Sequence, residues 1–515
     1  MPGSRRVWQH PLLWLLCVSC ALTIANGLIL PSFEAMDEPE HFQFARYLAE
    51  GRGLPDQRDL ALAVDYGYRQ EGGQAPLYHL FSALVLRLLG EDVSDVDALT
   101  VPNPLSTCGD LTQSHNKGMW LRNPERERFP YRGAALGVHV LRLFGSIWVM
   151  LTVVGVYRTA RLVFPGLRQV GLLAAALVGL NPRFLVHAGT MTNDVLLAAL
   201  AAWVIYFAVA ILRWGPSWRR SVALGILLGL AALTKASGAM MLSLVGLALA
   251  DWTWRNRAGR RGLAHAFVIG ALLAVIAGWW YVGNLVRYGS PGLMPLFTRE
   301  TGLREGWPPY LVIPEIGNFL RSYWAASGYC ELRLGLYPVY VAISLVGLVG
   351  VIYGVRRAPV DVRRAAMLLA VWIGTTFAAW LRFNAVVWAP EGRYWFQAHA
   401  AIAPLLAAGL LYLFGRWPSV WRALVAALGI LAIGTSVEIL APLFGLPPRQ
   451  EMGDVAASHL LEADFGDQVA LVGYDVEQDS LRAGDSVDLT LFLTAQHPVT
   501  ESLMLGVAAR GGRAH

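Results

Sequence analysis

The residues able to do chemistry in this sequence stand at the edges of its apolar runs. The stretch MDEPEHFQFARYLAEG, residues 36–51, sets Asp37, Glu38, Glu40 and His41 directly after the first such run. TMTNDVLL places Asn193 and Asp194 at the start of another run, EGRYWF places Glu391, Arg393 and Tyr394 at the start of a third, and LTKASG interrupts a fourth with Lys235. A carboxylate can take up a proton or ligate a hard cation, and a guanidinium or ammonium can neutralise a phosphate-like anion. An ionisable side chain at membrane depth costs about 2.5–3.5 kcal/mol even on the lenient insertion scale, so such clusters usually serve a site.

Each cluster also has a plainer reading. Asp37 or Glu38 can cap the helix that Pro39 would start, and Asn193 or Asp194 can cap another. Glu391 and Arg393 can pair with each other or anchor a helix at the interface, and Arg183 in NPRFLVHAG can snorkel. His139, His265 and Glu438, near the ends of apolar runs, read as solvated or satisfied helix residues. Capping accounts for one acid of the first cluster and leaves its other polar groups unexplained. Adjacent carboxylates point apart on a helix, so Asp37 and Glu38 must differ in role. Asp37, Asp194 and His41 have the donor types of a hard divalent-ion site completed by water.

The elements that must position these groups follow from composition. Of 515 residues, 55% are hydrophobic and only 15% charged, against about 25% charged in an ordinary soluble chain; the mean hydropathy is +0.45. This is the composition of an integral membrane protein. The net charge of +6 comes from Arg clusters in short segments between apolar runs, the pattern of cytoplasmic loops and not of a nucleic-acid surface.

A helix needs about 20 apolar residues to cross a hydrocarbon core of about 30 Å. Runs of that order fall at 11–31, 136–157, 170–188, 192–212, 262–287, 337–355, 365–382, 394–414 and 419–441. Residues 221–252 are flanked on both sides by basic segments, RWGPSWRR and DWTWRNRAGRR, so the chain must cross there an even number of times. Two crossings leave roughly 16 residues each, about 24 Å, so the turn holding Lys235 is expected below the outer surface. Backbone at that depth must be buried in protein or line a wet cavity. The expected fold class is thus an all-α polytopic membrane protein of about eleven spans. Arg5 and Arg6 put the N-terminus inside, the first run is expected to be an anchor and not a removed signal, and every strong candidate lies on the outer side, as a single outward-facing cavity would need.

Three polar segments face outward in this topology: 32–134, 288–336 and the tail from 446. Within the first, PLYHLFSALVLRLLG is helical but too short to cross and is expected in the interface. In the tail, QVALVGYDV, DSVDLTLFLT and SLMLGVAAR alternate around the turn RAGDS, which predicts antiparallel strands in a small and incomplete β-sandwich over 446–515, with the membrane domain covering 1–445. Cys17 and Cys20 read as packing. Cys108 and Cys330 fall in two outer segments where oxidising conditions allow a bridge, and no zinc spacing exists.

Taken in order, MDEPEHFQFARYLAEGRGLP, GGQAPLYHLFSALVLRLLG, NPRFLVHAGTMTNDVLLAAL, LGLAALTKASGAM, GWWYVGNLVRYGSPG and EGRYWFQAHAAIAPLLAAGL resemble the GT-C membrane glycosyltransferases. The resemblance is to the bacterial protein-mannosyltransferase and aminoarabinose-transferase relatives and covers about 30–445. It implies an enzyme of the plasma (inner) membrane that takes a sugar from a polyprenyl-phosphate carrier and passes it, with inversion, to an acceptor outside the cytoplasm. Matched residue by residue, Asp37 is the catalytic base, Glu38 its companion, Asp194 a second acid and Arg393 the carrier-phosphate ligand of an RY motif with Tyr394. His41, Lys235 and Glu391 complete the expected substrate-binding set. Relatives carry Lys-Pro-Pro-Leu where this chain has Gln74-Ala75-Pro76-Leu77, so a lysine expected near the phosphate is missing. Metal use varies within the fold; a divalent cation on Asp37, Asp194 and His41 is the one cofactor expectation.

The chemistry agrees independently, since displacing phosphate from an anomeric carbon needs a base for the acceptor proton and cations for the developing charge. A transporter or lipid flippase would show repeats and charges at span centres; no repeat is found and the span centres are almost free of charge. A non-catalytic envelope scaffold would make the outer acids dispensable. No GxSxG, P-loop or Rossmann motif stands where it would need to, and the inner loops are too short to hold a nucleotide-sugar domain.

Overall fold

The structure is a computed structural model of the 515-residue chain. It describes residues 11–103, 106, 118–123, 125–293, 297, 302–325, 337–444, 457–465, 469–476 and 489–495. It divides into two units, 1–445 and 446–515. The expected bridge between Cys108 and Cys330 and the strand expected over SLMLGVAAR lie outside the described residues.

The first unit is helical. Its helices are α1 Pro11–Ile29, α2 Glu38–Ala49, α3 Leu60–Tyr66, α4 Leu77–Leu89, α5 Gly133–Val163, α6 Val170–Gly179, α7 Pro182–Ala188, α8 Asn193–Trp214, α9 Trp218–Thr234, α10 Ala236–Ala239 and α11 Met241–Arg255. There follow α12 Gly259–Leu273, α13 Trp279–Tyr288, α14 Pro309–Ser322, α15 Tyr337–Arg357, α16 Val360–Val386, α17 His399–Phe414, α18 Pro418–Gly434 and α19 Ala441–Phe444. Among the described residues nine helical stretches are long and apolar enough to cross a membrane, and the bent pair α6–α7 makes a tenth. The pair bends by 57° at Asn181-Pro182, where proline removes a backbone donor and disfavours helix in the residue before it. The eleventh expected crossing is α9, only 17 residues long.

Burial separates the central helices from the outer ones. The crossing stretch of α8 is 78% buried and that of Gly392–Phe414 is 89% buried, against 22% for α1 and for Gly259–Tyr288. Phe267 and Val275, on the latter stretch, are each 76% exposed, as expected of side chains that face lipid. Close approach in the centre depends on glycine. A Cβ on Gly409 of α17 would overlap the Gly347 carbonyl oxygen of α15, and one on Gly145 of α5 would overlap the Ala188 carbonyl oxygen of α7. Small residues at such crossings let backbones pack where no hydrophobic effect drives helices together.

The second unit is a three-stranded antiparallel sheet in the order β1-β2-β3: His459–Phe465, Val469–Val476 and Leu489–Ala495. β2 and β3 were expected. β1 was not, because HLLEADF lacks alternation and most of its residues are exposed. Only Ala470, Leu471 and Gly473 of the sheet are buried.

Candidate active site

The first outer segment leaves α1 through Pro31 and reaches α2 by way of Asp37, which holds a left-handed backbone at φ 61° and ψ 4°. Pro39 lies in the first turn of α2, as expected. The Asp37 side chain makes no capping bond. Its Oδ2 accepts a hydrogen bond from Arg393 Nη2 at 2.8 Å and its Oδ1 one from Gln70 Nε2 at 3.4 Å. Residues 37 and 393 therefore meet across nearly the whole helical unit.

Arg393 lies in a short 3₁₀ segment, Gly392–Ala398, that leads into α17. Gly392 has no room for a side chain there: a Cβ would overlap Tyr323 N and the Phe319 carbonyl oxygen. Arg393 Nε lies 3.4 Å from Glu391 Oε2, which also accepts from Arg183 Nη2 at 2.9 Å. Arg183 pairs at this site and does not snorkel. Its backbone N–H donates to the Trp324 carbonyl, and Asn181 caps α7 by accepting from Phe184 N.

A second ion pair lies alongside. Lys235, extended at φ −158°, separates α9 from α10 and sends its Nζ to Asp194 Oδ1 at 2.5 Å. His187 Nε2 lies 3.5 Å from Asp194 Oδ2. Thr192, and not Asn193 or Asp194, caps α8 by accepting from Asp194 N. The Tyr394 ring lies between the two pairs, with Lys235 Nζ 5.6 Å and Arg393 Cζ 5.5 Å from its centroid. Asp37 and Lys235 retain the most exposure, 19% and 20% of their side chains, against 8% for Arg393 and 6% for Asp194.

Burial alone would push Asp37 up, but Arg393, His41 and Lys235 together hold its carboxyl below the usual range. Opposite charges within a few ångströms favour the ionised form. Glu40 goes the other way: burial and the Asp37 charge push it up to about 7.

Glu38 has a separate task. It is fully buried and receives Arg142 Nε on Oε1 at 2.8 Å, Arg142 Nη2 on Oε2 at 2.6 Å, and Met191 N on Oε1 at 2.7 Å. Arg142 also donates to the carbonyls of Gly27, Leu30 and Pro31. Glu38 thereby ties α2 to α1, α5 and the turn before α8, and so fixes its neighbour Asp37. The signal that could have found Arg142 was a lone charge inside the apolar run 136–157.

His41 turns toward Glu71 and His79. His41 Nδ1 is 2.9 Å from Glu71 Oε2 and 2.9 Å from His79 Nε2, and these three form the one cluster of three metal-capable side chains among the described residues. Only His41 of the three was singled out in the sequence. Gln74, which stands in place of the lysine expected from the motif resemblance, accepts from Asn193 Nδ2 at 2.5 Å. His139 and His265 are satisfied by the Ala135 carbonyl and Ser221 Oγ, and Glu438 is exposed.

Residues 136–281 match the family model of the dolichyl-phosphate-mannose-protein mannosyltransferases. No curated protein matches the chain. Among solved structures it is similar to ArnT from Cupriavidus metallidurans bound to undecaprenyl phosphate, at 17% identity over 84% of this chain and 66% of that one, with a TM-score of 0.48. It is also similar to the archaeal oligosaccharyltransferase AglB from Archaeoglobus fulgidus in complex with an inhibitory peptide and a dolichol-phosphate, at 13% identity over 85% and 56% of the two chains and a TM-score of 0.43. A third is the S. cerevisiae protein O-mannosyltransferase Pmt1-Pmt2 complex bound to the sugar donor, at 17% identity over 56% and 35% and a TM-score of 0.33. The chain spans less than two thirds of the length of each of these structures. The family match agrees with the resemblance drawn from the motifs, and it falls on the segment that carries Arg142, Arg183, Asp194 and Lys235.

Proposed function

We propose that this protein transfers a sugar from a polyprenyl-phosphate carrier to a hydroxyl-bearing acceptor outside the cytoplasm, with inversion at the anomeric carbon. The observation that carries the reading is the contact between Asp37 and Arg393, beside the pair formed by Lys235 and Asp194. A base and two cations lie side by side, with Asp37 and Lys235 each about one-fifth exposed.

The donor phosphate competes with Asp37 for Arg393 and with Asp194 for Lys235. Guanidinium and ammonium then stabilise the charge that develops on the leaving phosphate, where positioned cations lower the barrier most. Asp37, relieved of Arg393, gains basicity as the cation turns to the phosphate. It takes the acceptor proton while the acceptor oxygen bonds to the anomeric carbon and the carbon–phosphate oxygen bond breaks, leaving polyprenyl phosphate. Glu38 and Glu391 are positioning residues, the first through Arg142 and the second through Arg183 and Arg393. Gln70, whose Nε2 donates to Asp37 Oδ1, borders the acceptor side of the base. The family match over 136–281 supports the reading.

The test is transfer from a radiolabelled polyprenyl-phosphate sugar by the purified chain. Asp37→Asn should lose at least about 100-fold in rate, the size of a general-base contribution, with membrane insertion intact. Native activity in that variant excludes Asp37 as the base.

A further inference from the structure

We propose that His41, Glu71 and His79 form a divalent-metal site of the zinc type, separate from the ion pair of Asp37 and Arg393, which fastens α2, α4 and the 3₁₀ turn between them to one another. His41 lies on α2, His79 on α4, and Glu71 in the 3₁₀ turn Arg69–Gly73 between them. All three are nearly inaccessible, at 3%, 0% and 2% exposure.

Hydrogen bonding alone leaves this cluster unsatisfied. His41 Nδ1 stands 2.9 Å from two acceptors, His79 Nε2 and Glu71 Oε2, and it carries at most one proton. Glu71 Oε2 has the ion-pair contact with His41 Nδ1 but no aligned hydrogen bond, and His79 Nδ1 has no hydrogen-bond partner. A buried carboxylate oxygen without an aligned donor is under-satisfied. A cation at the centre of the three atoms gives that oxygen a ligand bond and removes the competition for a single proton.

The geometry is near what a metal needs. Two ligands about 2.0–2.1 Å from a tetrahedral zinc lie about 3.3 Å apart, and the observed separations are 2.9, 2.9 and 4.0 Å. Small side-chain adjustments equalise them. Two imidazoles and one carboxylate, with a fourth position left for water, are a common zinc donor set. The other carboxylate oxygen is already oriented: Gln74 Nε2 donates to Glu71 Oε1 at 2.8 Å, and Gln74 Oε1 accepts from Asn193. Outer partners of this kind fix a ligand's direction. Asn193 adjoins Asp194, so the metal would brace the second ion pair of the pocket as well.

This site stands or falls apart from sugar transfer, because metal uptake is read on the isolated chain. The full-length protein, purified in mild detergent through a tag free of histidine and stripped with a chelator, is titrated with cobalt(II) and then zinc. One equivalent of cobalt should bind with the intense visible absorption of a four-coordinate site, zinc should displace it, and the melting temperature should rise. Glu71→Gln and His79→Phe should each weaken uptake by more than about 10-fold. Should either variant fail to fold, X-ray absorption of the zinc-loaded native chain decides, with two imidazole ligands expected. No stoichiometric uptake, which is the outcome for a plain ion pair, overturns the site; so does uptake that both folded variants keep, or a zinc spectrum without imidazole.

Discussion

Asp37 is held by opposing forces, and its backbone adds a third constraint. Burial raises its pKa, and Arg393, His41 and Lys235 more than offset that rise. Removing Arg393 leaves the burial without its largest counterweight. Arg393→Gln should therefore move the acid limb of kcat/KM to higher pH, because Asp37 then keeps its proton to a higher pH, and should weaken the donor more than the acceptor. An unmoved limb, or equal loss for both substrates, assigns Arg393 a structural role. The left-handed φ of 61° limits the replacements, since only Gly, Asn and Asp adopt that region readily. Charge at this position was legible in the sequence from the density of acids beside an apolar run. Its partners were not, because Arg393 and Gln70 are brought to it by tertiary packing. The capping reading failed here and at Asp194 for related reasons: Asp37 spends its oxygens on an ion pair, and Thr192 supplies the cap of α8.

Among the elements, α2 depends on Glu38 and the outer segment depends on Glu34. Glu38→Gln breaks a bidentate pair with Arg142 that is wholly inside the protein. It should cost about 3–5 kcal/mol, the penalty for stranding one partner of a buried pair. A melting temperature equal to the native one in detergent would contradict this. Glu34 is 7% exposed and accepts from Met119 N through one oxygen, while the other has no partner; burial pushes it up to about 7 from 4.5. A carboxyl whose folded pKa is raised favours the fold while protonated, so about 3 kcal/mol of stability is lost as pH rises from about 4.5 through about 7. The native chain should melt lower at pH 8 than at pH 5, and Glu34→Gln should flatten that difference. Equal slopes for the two proteins would remove Glu34 as the cause. The helices themselves were largely readable, since each apolar run of spanning length became helix. The break at LTKASG was readable from charge parity on its two flanks. The bend between α6 and α7 was not, because a 170–188 run gives no sign of its angle beyond Asn181-Pro182.

For the whole molecule, the basic segments predict the orientation. Arg257, exposed between α11 and α12, should lie inside, and Asp59, exposed before α3, outside. Arg257→Cys should be modified only by a thiol reagent that crosses the membrane, and Asp59→Cys by an impermeant one; the reverse result would invert the topology and move the pocket to the cytoplasmic face. The helical architecture followed from composition and period. The missed strand β1 shows the limit of period reading, because a strand exposed on both faces carries no alternation. The tie between Glu38 and Arg142 has a bearing on biogenesis. Arg142 sits nine residues into α5, about 14 Å along its axis at 1.5 Å per residue, where a guanidinium resists entry into lipid. Its counter-ion and three of its acceptor carbonyls belong to residues translated about a hundred positions earlier, so α5 can settle only against a first helix and outer turn already in place. The order of synthesis thus becomes the order of assembly, and a lesion at Glu38 would appear first as a failure of α5 to integrate.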